Sequence, residues 1–107
     1  MEARIVIVGT KHDGPPAIEA LAGLRQGMSV ALKREPDNQV DPGAVAVYCG
    51  DQRIGFLPRA QYSAVRDALD AGATVSAVMA TEAIIQDGDI VPGGLPRLTV
   101  TIAEDEE

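Results

Sequence analysis

The stretch "AVAVYCGDQRIGFL", Ala44 to Leu57, constrains the fold of this chain more than any other. Two apolar, β-prone runs flank Gly50-Asp51, a dipeptide that forms a two-residue hairpin turn because glycine takes positive φ at its first position. The runs are expected to pair antiparallel, with Val47 and Ile54 facing a core. Upstream, "RIVIVGT" is β-branched and closes at Gly9, the pattern of a buried strand. "MSVALKREP" alternates Met28, Val30 and Leu32 with Ser29, Ala31 and Lys33 until Pro36 stops the pairing, as in a half-buried strand. "TVSAVMATEAIIQ" and "PRLTVTIA" are the last two strands, joined by the glycine-rich loop "DGDIVPGGLP".

Two segments carry the helical period instead. "GPPAIEALAGLRQG" opens on Pro15 and Pro16, spaces Ile18, Leu21 and Leu24 along one face, and ends at Gly27. From Arg59 to Ala71, Tyr62, Val65 and Leu69 fall on one stripe before Gly72 supplies the stop. The predicted order is β, α, β, β, β, α, β, β. This is a mainly β chain with two short helices, an α+β class built on a six-stranded curled or barrel-like sheet with helical plugs.

With 107 residues there is room for one core, so residues 1–103 are expected to form a single domain and the acidic run 104–107 a solvated tail. One cysteine, Cys49, excludes an internal disulfide. With only His12 beside it, a structural zinc site lacks ligands, and neither metal nor cofactor is expected. No apolar run is long enough to span a membrane and "MEARIVIVGT" has no signal-peptide features, so a reduced, cytoplasmic, membrane-free protein is expected. The net charge of -7 argues against nucleic acid, whose binders usually carry a basic footprint. Four of the 16 acids lie in the tail, however, so the remainder holds 12 acids against 9 bases.

Few motifs carry chemistry. "DNQVDPG" alternates acidic and amide groups but places Pro42 and Tyr48 where a calcium loop needs glycine and glutamate. "GTKHDGPP" lacks the lysine and hydroxyl residue of a phosphate loop. His12 and Asp13 have no nucleophile arranged beside them, and no catalytic set assembles elsewhere, so an enzyme is not expected. Tyr48, Phe56 and Tyr62 are the only aromatics; core or rim packing is the ordinary role of each, and Phe56 stands at a strand end between Gly55 and Pro58. Two readings stand for Asn38 and Asp41: they hold the loop through backbone N–H groups, or they face a ligand.

The longer stretch "LKREPDNQVDPGAVAVYCGDQRIGFLPR" closely resembles the HIRAN domain in its Arg-Glu-Pro, its following Asn and Asp, its apolar strand and its Ile-Gly-aromatic-Leu-Pro ending. "VIVGTKH" and the helix after Arg59 extend the resemblance over roughly residues 4–71. It implies an OB-like β-barrel that recognises single-stranded DNA 3′ ends in a repair or replication-stress context. This chain would be a free-standing member working beside a helicase or nuclease protein. On the matching positions, Asp41 would accept a hydrogen bond from the terminal 3′-hydroxyl, with Asn38 beside it. Lys11 would lie near phosphates, and Phe56 and Arg59 would line the pocket.

DNA-binding members carry paired aromatics where this chain has His12 and Asp13, and Val40 stands where an aromatic is common. Base stacking is worth on the order of 1–3 kcal/mol per base, so these replacements weigh against strong binding. The alternative expectation is a protein-interaction or regulatory module that keeps the fold and has lost DNA binding.

Overall fold

A computed structural model describes residues 1–103; the acidic run 104–107, expected to be a solvated tail, lies outside the described residues. The elements are β1 (Glu2–Val6), a 3-10 turn (Thr10–Asp13), α1 (Gly14–Ala22), β2 (Ser29–Arg34), β3 (Val45–Cys49), β4 (Gln52–Phe56), α2 (Ser63–Asp70), β5 (Val75–Thr81), β6 (Ile85–Gln86), β7 (Asp89–Ile90) and β8 (Arg97–Ile102). Six strands form one antiparallel sheet in the order β1-β8-β5-β2-β3-β4.

The sheet curls for local reasons. β2 pairs with β5 through Ser29 and Val30, then with β3 from Ala31 to Arg34, so one strand serves two halves of the sheet. Register shifts at Val47/Tyr48 and at Met79/Thr81 add bends of the kind that drive a sheet toward a barrel. Closure comes from beyond the end of β1. Val8 and Phe56 exchange two backbone hydrogen bonds, 2.9 Å from the Val8 N–H and 2.8 Å from the Phe56 N–H, joining the two ends of the strand order.

That closure explains Gly55. A Cβ there would lie 2.5 Å from Ile7 Cγ2 and 2.7 Å from the Val8 carbonyl oxygen, and its φ of 152° is one that side-chain-bearing residues rarely adopt. The glycine lets the crossing chain touch the strand.

Val47 and Ile54 are fully buried, as expected. They join Ile7, Leu21, Met79, Leu98 and Val100 in one core. Met28, expected to share a strand face with Val30 and Leu32, lies just before β2 and is exposed, whereas those two are half-buried. α1 stops at Ala22 rather than near Gly27, and it buries Ala17 and Leu21 while Ile18 is only half-buried. α2 begins at Ser63 rather than Arg59, after a turn in which the Gln61 N–H bonds the Pro58 carbonyl at 2.9 Å. β1 starts at Glu2, two residues before the expected run.

The "DGDIVPGGLP" segment, expected as a plain loop, holds the two-residue strand β7, and its partner β6 is the end of "TVSAVMATEAIIQ", whose expected single strand breaks after Thr81. Asp87 and Gly88 both have positive φ, the conformation that matches a hairpin turn to strand twist. No helix among the described residues is long and apolar enough to cross a membrane.

Candidate functional site

The loop from Pro36 to Ala44, between β2 and β3, builds one wall of the site. Its ends are drawn together by the Glu35 N–H on the Ala44 carbonyl (3.1 Å) and by Arg34, which donates to the carbonyls of Pro42 (3.1 Å) and Ala44 (2.8 Å). Asn38 organises the tip. Its Oδ1 accepts the N–H groups of Val40 (3.0 Å) and Asp41 (2.9 Å), and its Nδ2 donates to Glu35 Oε1 (3.1 Å). An amide that mimics a turn in this way fixes the backbone more tightly than water contacts would.

Asp41 is held from three sides. Oδ1 accepts the Gly43 N–H at 3.0 Å, the Tyr62 hydroxyl donates to both carboxylate oxygens at 3.0 Å, and Arg59 Nε lies 3.5 Å from Oδ2. Gly43 makes this possible, because a Cβ there would come within 2.6 Å of the Tyr62 hydroxyl. Desolvation pushes the Asp41 carboxyl up. The bonds from Tyr62 and Gly43, with Arg59 nearby, outweigh it and hold the group below its usual range.

Opposite the loop stand Arg53 and Phe56 of β4. Arg53 forms a two-pronged pair with Asp13 (2.8 and 2.7 Å), reaches Glu35 through its remaining nitrogen (2.8 Å), and lies 4.9 Å over the Phe56 ring centroid. The hydrogen bonds to Asp13 and then Glu35 raise the guanidinium pKa even further above its ordinary value. A cleft of about 490 Å³ runs between these walls, lined by Asn38, Asp41, Arg53, Phe56 and Arg59, with His12 and Val40 at its borders. A second cleft of about 460 Å³ shares Asn38 and Arg53 with the first.

Four of the five expected site residues, Asn38, Asp41, Phe56 and Arg59, thus meet in one cleft. Lys11 lies outside its lining. Its ammonium pairs with Asp89 of β7 at 3.0 Å, and that bond, ahead of other causes, holds the Asp89 carboxyl below its usual range. Arg53, Asp13, Glu35 and Tyr62 are the residues that sequence reasoning did not place at the site. Asp13 and Arg53 are 40 positions apart, so no local pattern marks the pair. Among other cations, Arg34 is spent on Asp70 and the loop carbonyls, and Lys33 lies 4.3 Å over the Tyr48 ring.

The fold thus presents a small curled sheet with a loop-walled cleft on one side. The HIRAN domain model matches residues 2–88, and the chain belongs to the HIRAN domain family, whose domain is a DNA-binding module and not itself catalytic. In structure the chain is similar to a crystallised protein from Lactobacillus plantarum, with a TM-score of 0.73 and 23% identity over 94% of this chain and 95% of that one. It is also similar to the HIRAN domain of human HLTF, with a TM-score of 0.69 and 19% identity over 94% of this chain and 74% of that one. Identities this low establish a shared fold alone. No curated protein sequence matches the chain significantly.

Proposed function

We propose that this HIRAN domain is a non-catalytic module that receives the 3′ end of a single DNA strand in the cleft between the Pro36–Ala44 loop and β4. The observation that carries the reading is the state of Asp41. A carboxylate has about four acceptor positions. Gly43 bonds Oδ1 alone and Tyr62 is shared equally between Oδ1 and Oδ2, so Oδ2 keeps acceptor capacity beside a long and weak Arg59 contact. A terminal 3′-hydroxyl is the kind of donor such an oxygen takes, and a 3′-phosphate is repelled by it.

Arg59, with a side chain 71% exposed, is the cation able to turn from Asp41 to the last phosphodiester. Asn38 shapes the loop that presents Asp41. Phe56 supplies ring surface at the cleft floor, and Lys11, after leaving Asp89, meets a phosphate further along the strand. In a repair or replication-stress setting such a module would bring a DNA end to a helicase or nuclease protein.

One observation favours a second reading. Val40, 87% exposed at the rim, offers an apolar contact where a stacking ring would serve DNA better, as an interaction module would. A competition experiment separates the two. A labelled linear oligonucleotide is bound at low salt and challenged with unlabelled linear or circular single strands. Linear DNA is expected to displace it, and circular DNA, which has no end, is not. Equal competition by circles would overturn end recognition, and absence of binding to any strand would favour the interaction module.

A further inference from the structure

We propose that Arg53 provides the cleft's second stacking surface, a guanidinium plane standing where an aromatic ring is missing; the inference rests on the DNA-end reading above. Three observations carry it. First, every partner of the guanidinium sits on its edge: Asp13 takes Nε and one terminal nitrogen at 2.8 and 2.7 Å, and Glu35 takes the other at 2.8 Å. Edge bonds fix the plane and leave its two faces for stacking.

Second, the guanidinium carbon lies 4.9 Å over the Phe56 ring centroid, while the Arg53 side chain remains 31% exposed and lines both neighbouring clefts. The side turned away from Phe56 is the one left for a flat ligand. Third, the carboxylates of Asp13 and Glu35 are themselves largely covered, at 15% and 17% exposure, so the clamp is built into the wall rather than formed by mobile surface chains.

Two carboxylates against one guanidinium give the cluster no surplus positive charge. Arg53 is therefore poorly suited to holding phosphate and well suited to presenting a plane, since bases stack on arginine as well as on aromatic faces. Phe56, Arg53 and the terminal base would form a three-layer stack, with Asp41 reading the hydroxyl of the same nucleotide. Asp13, which on its own would repel DNA, becomes a positioning residue for Arg53.

The test uses two oligonucleotides that both end in a 3′-hydroxyl, one with an intact terminal nucleotide and one whose terminal nucleotide lacks its base. The unaltered protein is expected to bind the intact end roughly tenfold more tightly. Arg53→Lys keeps a positive charge near Asp13 and Glu35 but removes the plane, and the ratio should fall toward one whatever happens to absolute affinity. Asp13→Asn loosens the clamp and should give an intermediate ratio; it carries the test alone if Arg53→Lys does not fold. A base preference undiminished in the folded variants overturns the proposal while end recognition stands, as does a wild-type protein indifferent to the base. No binding of either oligonucleotide by wild type overturns the DNA-end reading and this inference together.

Discussion

Asp41 is the side chain at which folding and the proposed recognition meet. The bonds that hold it, from the Gly43 N–H and the Tyr62 hydroxyl, also keep it ionised, because its folded-state pKa lies below the ordinary value. A carboxylate depressed in this way contributes stability that is fully present above the unfolded pKa of about 4 and is lost as pH falls through the folded value. Tyr62→Phe removes one stabilising donor. The variant is expected to melt below wild type by a constant interval from pH 7 to pH 5, and the interval should narrow below about pH 4. An interval unchanged at pH 3 would mean that the hydroxyl does not depend on an ionised Asp41. The turn-holding role of Asn38 and Asp41 was legible in "DNQVDPG", since both are turn formers and Asp41 precedes Pro42. The Asp41 partner Tyr62 was not, because the bond spans 21 positions and its only local trace was a place on a helical stripe.

At the scale of elements, the β3–β4 hairpin was the most legible part of the chain, because Gly50-Asp51 and two apolar runs act within a few residues. The barrel closure was not legible. It depends on Val8 meeting Phe56 across the sheet, and Gly55 advertises it only through the space it leaves. The β6–β7 hairpin escaped because strands of two residues are too short to show alternation, although Asp87-Gly88 is itself a turn signal. β4 separates packing from binding residue by residue. Ile54 is fully buried, so Ile54→Ala should cost about 2–5 kcal/mol in denaturant unfolding. Phe56 is half-buried beside the cleft, so Phe56→Ala should weaken oligonucleotide binding more than it lowers stability. Equal destabilisation by the two variants would assign the ring to the core. Gly55→Ala should destabilise as strongly as Ile54→Ala, since its Cβ has no room against Ile7 and Val8.

The whole molecule is acidic, with a net charge of -7, and its basic residues are mostly committed. Arg53 faces two carboxylates, Arg34 faces Asp70 and Lys11 faces Asp89, which leaves Arg59 as the cleft-lining cation with the weakest tie among the described residues. Affinity for DNA should accordingly depend little on phosphate neutralisation. With one or two contacts, log affinity against log salt is expected to have a slope between about -0.7 and -1.4 for a single strand, and a slope of about -3 or steeper would reveal a basic track absent from this account. On the proposed reading an end is recognised by its nucleoside and hydroxyl, and the charge on that end decides the central claim. Fluorescence anisotropy should compare one single-stranded sequence ending in a 3′-hydroxyl with the same sequence ending in a 3′-phosphate, on wild type, Asp41→Asn, Asp41→Ala and Lys11→Ala. Wild type should prefer the hydroxyl roughly tenfold, both Asp41 variants should lose most of that preference, and Lys11→Ala should weaken the two oligonucleotides alike. Equal affinity of the wild-type protein for the two ends, or a preference that survives in both folded Asp41 variants, would contradict the account.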